Sequence, residues 1–282
     1  MKRCLTSFSR FLATSIILLY MVGCAKGNDQ NNDGNFEKGV KPGNFTSRQL
    51  NAVQDALAKG ITMQDGAGDY VQFPAGSIQP DGRPDNANPY PLPFTDLKSV
   101  SIGADSEYLY VRWQFQGIFP VTSVEYNGDL IWDVTCKIEE FTFTNAKGLK
   151  DSATLTSTIS LAEYKNGQWV KTEHPVVGQL AMVSPSGQDS KQEILYKINT
   201  GEGLIAGGAG QDYILSAFPL SLFGIKLGDE VLFSCATETG SKVYHHAAVD
   251  VLFGSPTSKA GATLSYVLGA GDYKIEKLPD SK

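Results

Sequence analysis

Positive charge is in short supply. The 282 residues carry 24 lysines and arginines against 30 aspartates and glutamates, a formal net charge of −6. A chain of that balance has no basic stripe to lay along a phosphate backbone, which argues against nucleic acid as a partner class. Several motifs that carry chemistry are also missing. There is no Walker loop for a nucleotide phosphate, no Gly-x-Ser-x-Gly elbow for a serine nucleophile, and no Cys-x-x-Cys pair for zinc. Gly201-x-Gly203-x-x-Ala206 matches a lax dinucleotide fingerprint, but more glycine follows where a helix should begin, so it reads as a loop. Helical periodicity is confined to one short stretch. No apolar run reaches the ~20 residues that a spanning helix needs.

The longest apolar run, Phe11 to Val22, follows Lys2, Arg3 and Arg10. A basic start, a short apolar middle and a small-residue end describe an export signal over residues 1–23. The run closes on Met21-Val22-Gly23-Cys24. This resembles the bacterial lipoprotein lipobox. The resemblance implies cleavage before Cys24, a diacylglycerol on its sulfur and an acylated amine, with the protein held at the cell-envelope membrane facing the periplasm or the outside. The mature chain becomes more acidic still, so its body should be held off anionic lipid rather than lie on it. Residues 24–45 are rich in Asn, Gly and Asp, the composition of a flexible tether. Asp29-x-Asn31-x-Asp33-Gly34 opens like a calcium loop, but the twelfth position is Val40 instead of glutamate.

From residue 46 to 282 the chain reads as one all-β domain, a two-sheet antiparallel sandwich with one N-terminal amphipathic helix. Thr46 to Lys59 is that helix: Leu50, Val53, Ala56 and Leu57 share a face, and Gly60 stops it. A proline-rich arm follows, from Pro74 to Pro93. The stretch the body is organised around is Asp96 to Phe115. Leu109, Val111, Trp113 and Phe115 alternate with Tyr108, Tyr110, Arg112 and Gln114, the period of a half-buried strand. Further on, Trp132, Val134, Cys136 and Ile138 alternate, then Phe141 and Phe143 take the other parity, which predicts a bulge near Glu139-Glu140. Asn166-Gly167 between two strand patterns predicts a hairpin. The strand pair 97–115 and the later run PLSLFGIKLGDEVLFSC resemble the β-sandwich superfamily of family-nine carbohydrate-binding modules, DOMON domains and glucodextranase C-terminal domains. That resemblance implies a sandwich that often binds sugar or haem.

Four groups of residues are candidates for function. Tyr108, Tyr110 and Arg112 share one strand face, where rings could stack on sugar and arginine could donate to hydroxyls. The alternative is that this face packs under the helix or the arm. Asp81, Asp85 and Asp96 bracket the arm, and their hard oxygens could hold a structural calcium; otherwise they are solvated loop acids. Cys136 and Cys235 remain after processing, and the exported compartment permits a disulfide between them. Two buried thiols that never meet are the other outcome. Cys24 is the lipidation site. These features make a non-catalytic binding module for carbohydrate the leading expectation, with a structural or partner-binding envelope protein as the alternative.

Overall fold

The computed structural model describes residues 47–69, 92–184, 193–199, 205–241, 245–254 and 261–278. The expected signal, Cys24, the tether, Asp81 and Asp85 lie outside them.

One helix, α1 (Ser47–Lys59), precedes the strands. Two antiparallel sheets follow, as the alternating patterns require. The first has five strands in the order β1-β2-β3-β10-β9. These are β1 (Ile61–Gln64), β2 (Leu97–Ala104), β3 (Tyr108–Phe115), β10 (Tyr213–Pro219) and β9 (Ile205–Gly207). The second has nine, with β14-β13-β11-β5-β6-β7-β8 as its path, β12 beside β11 and β4 beside β5. Its members are β4 (Glu125–Tyr126), β5 (Asp129–Thr144), β6 (Lys150–Lys165), β7 (Gln168–Ser184), β8 (Glu193–Asn199), β11 (Glu230–Ser241), β12 (His245–Val251), β13 (Thr263–Val267) and β14 (Tyr273–Lys277).

The core lies between the inner faces. Leu97, Val100, Ile102, Leu109, Val111, Trp113 and Phe115 come from the smaller sheet. Val134, Cys136, Ile138, Phe141, Leu155, Ile159, Phe233 and Tyr266 meet them from the larger. Each such side chain contributes roughly 1.5–3 kcal/mol by leaving water. Turn chemistry sets the registers. Asp105 Oδ1 accepts the backbone N–H groups of Glu107 and Tyr108 at 2.7 and 2.9 Å, closing the β2–β3 hairpin. Asn166 and Gly167 take φ of 51° and 80°, the left-handed pair that suits a two-residue hairpin between β6 and β7. Glu140 sits at φ 51° where the β5–β6 register slips between Ile138 and Phe141. The extra residue is why Phe141 and Phe143 both reach the core.

Two details of the larger sheet bear on the sequence reading, and the first takes the second of the two outcomes open for the cysteines. Cys136 and Cys235 are free, buried thiols. Cys136 lies opposite Thr237, and Cys235 lies opposite Ile138, so the cysteines are diagonal neighbours on β5 and β11. Diagonal positions stand about 7–8 Å apart, beyond the ~4.4–6.8 Å between Cα atoms that a disulfide spans. Burial pushes both thiols well above their ordinary range. Trp132 is the second. Gly240 pairs with Asp133 but Ser241 pairs with Ile131. This slip at Trp132 lets Ile131 and Val134 both face the core, and the Trp132 indole belongs to no core cluster.

Candidate functional site

At the end of β1 the chain turns through Asp65-Gly-Ala-Gly-Asp69, where Gly68 takes φ 75°. The turn is tied to both sheets. The Asp65 N–H donates to the Lys98 carbonyl at 3.0 Å. Asp65 Oδ1 accepts the Phe253 N–H at 3.4 Å. Asp96, just ahead of β2, accepts the Gly68 N–H on Oδ2 at 2.9 Å. Asp250 on β12 points across from the larger sheet. Its Oδ2 accepts the Leu97 N–H at 2.7 Å, and its Oδ1 accepts the Val251 N–H at 2.8 Å.

Three of these aspartates converge. One carboxylate oxygen from each of Asp65, Asp69 and Asp250 lies within 4.8 Å of the other two. Asp250 is only 1% exposed. Burial, followed by the charge of Asp69, pushes Asp65 up to about 7. Burial, followed by the charge of Asp65, pushes Asp250 up to about 8. Burial raises Asp69 as well. Asp65 Oδ2 and Asp69 Oδ1 are enclosed and have no hydrogen-bond partner. Packed carboxylates in this state either keep protons near neutral pH or share a cation. Hard oxygens in this number suit calcium better than a soft metal.

The expected calcium ligands are thus only partly placed. Asp96 is beside the cluster and adds to the repulsion on Asp65 and Asp250. Asp65, Asp69 and Asp250 were missed. The only local signal was the small-residue run between Asp65 and Asp69, because Asp250 joins them through the fold alone.

The expected sugar platform is corrected. Tyr110 is 3% exposed and packs with Val53 and Ala56 of α1, together with Ala206, Leu215 and Ala217. Its hydroxyl donates to Asp105 Oδ2 at 2.7 Å. Burial, then that bond, raises the phenol above its ordinary range. Tyr108 is half-buried against Tyr110, with ring centroids 6.0 Å apart. Arg112 is exposed, but it lies 4.7 Å over the Tyr213 ring and donates to Gln114. The three do point together, and the helix closes the middle of their row.

A different aromatic group gathers beside the β6–β7 hairpin. Trp132 and Trp169 stack with centroids 4.9 Å apart and planes 15° apart. Tyr164, directly opposite Trp169 in the ladder, meets it edge-on at 5.3 Å. All three rings are half-buried, and none belongs to a core cluster. They lie on the outer face of the larger sheet, in line with Thr135 and Thr158, which alternate with the core-facing Val134 and Ile159.

No family model, curated protein or solved structure matches the chain.

Proposed function

We propose that the chain is a lipid-anchored extracytoplasmic binding module that does no chemistry itself, takes carbohydrate as its ligand class and holds calcium as a structural ion. The observation that carries the binding role is the outer face of the larger sheet. Two of the chain's three tryptophans sit there, outside the core. Both are half-buried, and an aromatic ring with part of its surface in water is suited to contact with a partner. The calcium role is supported by the two enclosed, unpartnered carboxylate oxygens of Asp65 and Asp69 beside Asp250. The resemblance to sugar-binding sandwiches and the lipobox-like Met21-Val22-Gly23-Cys24 complete the reading. A glycan array probed with soluble residues 45–282 tests the ligand class. Selective retention on one glycan family is the expected result. An array with no retained sugar, together with capture of a protein partner from envelope extract, would favour the partner-binding alternative.

A further inference from the structure

The geometry points to a membrane-contact edge at one end of the sandwich: Ile118 and Val121, in the loop between β3 and β4, rest in the headgroup region of the bilayer that holds the anchor. This goes beyond the binding role and rests on the lipid-anchor reading above. The loop, Gln116 to Val124, contains no charged residue. It is also pinned. The Gly117 N–H donates to the Pro93 carbonyl at 2.8 Å, and the Phe119 N–H donates to the Gln211 carbonyl at 2.8 Å. The Gly210 N–H donates to the Phe119 carbonyl at 2.9 Å, and the Ser123 N–H donates to the Thr172 carbonyl at 3.0 Å. Phe119 itself is in the core, with its ring 4.7 Å from that of Phe115. With the backbone fixed around them, Ile118 and Val121 are held outward, 66% and 57% exposed. An uncharged, apolar and preorganised edge suits a lipid surface.

The tether leaves at the same end. α1 finishes over the last residues of β2, where the Ala56 backbone meets Gly103 and Gly60 meets the Ile102 carbonyl. From there its apolar face runs back over Tyr110, Leu215 and Ala206, across β3 and β10 to β9. Gly103 is in register with Tyr110 and Ala217, whereas Ala206 is in register with Leu215, two residues nearer Tyr213. Ser47 therefore points toward the Tyr213 end of the smaller sheet, the end that carries the 208–212 turn and the Ile118 loop bonded to it. Residues 24–45, with a flexible tether's composition, reach roughly 25 Å. Strands such as β6, with 16 residues, run about 50 Å. A tether shorter than the body keeps the end it leaves from nearest the bilayer. Two side chains are too little to hold a free protein there, but an anchor already in the membrane supplies a high local concentration. The acidic chain favours zwitterionic over anionic lipid.

The test uses the full chain, as processed in the cell, in phosphatidylcholine vesicles with a nitroxide on a fraction of the headgroups. A fluorophore is placed by Ile118→Cys, by Val121→Cys or, at the opposite end, by Leu149→Cys. Leu149 is 52% exposed between Gly148 and Lys150, and Ala146 of the same turn packs against Gly224, just past the Pro219 end of β10. Cys136 and Cys235 are buried and do not compete for label. Labels at 118 and 121 should be quenched and blue-shifted, and the label at 149 should be neither. Acylated protein with no quenching at 118 and 121, or with equal or stronger quenching at 149, would overturn the contact and leave the anchor reading standing. A chain whose mass shows no acyl groups would overturn both.

Discussion

At the scale of single residues, the carboxylates near the Asp65 turn make the sharpest prediction. The folded values of about 7 for Asp65 and about 8 for Asp250 lie above the ordinary 3.8. Between the two limits the native state binds more protons than the unfolded chain, so stability falls as pH rises from about 4 to about 8. Without a cation the loss should be on the order of 1–3 kcal/mol, since Asp65 is partly open to water. That corresponds to a drop of several degrees in Tm for a domain of this size. Calcium should restore the loss at pH 8, and Asp65→Asn should flatten both responses. Thermal scans from pH 5 to 9 in chelator, then in calcium, check this. A Tm that climbs across that window would refute the assignment of raised values. Tyr110 makes a second prediction, opposite to that for an open sugar-stacking ring. Tyr110→Ala should cost about 3–5 kcal/mol, because a buried ring is removed from under the helix. Tyr110→Phe should cost about 1–3 kcal/mol, for the lost bond to Asp105. Urea denaturation of both variants gives the two numbers, and an unchanged midpoint in Tyr110→Ala would place the ring in solvent.

At the scale of elements, α1 approaches β2 closely enough that backbone meets backbone. A Cβ on Gly103 would stand 2.3 Å from the Ala56 carbonyl oxygen, and one on Gly60 would stand 2.0 Å from the Ile102 carbonyl oxygen. Neither carbonyl can swing away as a flexible side chain could, so the helix itself must lift. Gly103→Ala should therefore cost about 1–3 kcal/mol and speed hydrogen exchange in α1. Exchange unchanged in the helix would mean the contact is looser than the geometry requires. Local signals made many elements legible in the sequence. Leu50, Val53, Ala56 and Leu57 marked the helix, the alternation in 108–115 marked β3, and Asn166-Gly167 marked the β6–β7 turn. The Glu139-Glu140 bulge was legible too, because Phe141 and Phe143 change parity there. The slip at Trp132 left no such trace. One bulged residue moves a side chain to the other face, and an indole reads the same on either side. The cover over Tyr110 and the meeting of Asp250 with Asp65 depend on contacts between distant segments. No window of sequence contains them.

At the scale of the whole molecule, the described body begins at Ser47, after a polar stretch and the lipobox-like box. If Cys24 carries the lipid, everything from α1 onward is a folded cargo on a tether. Its attachment then depends on one sulfur and one amine. Two or three acyl chains hold a protein stably where a single chain is marginal. Loss of the sulfur should therefore be close to all-or-none for anchoring and should leave the fold alone. Among the described residues, the main core cluster runs from Ile61 to Leu268. Cys24→Ser should give a chain that takes up no labelled palmitate and is either unprocessed or released from the membrane. Its soluble form should melt with the same Tm as wild-type protein cut within 25–44. That second measurement separates anchoring from folding. A serine variant with wild-type palmitate label would refute lipidation at Cys24. A soluble variant with a much lower Tm would instead show that the first 46 residues help hold the sandwich together, against the division of the chain into tether and body.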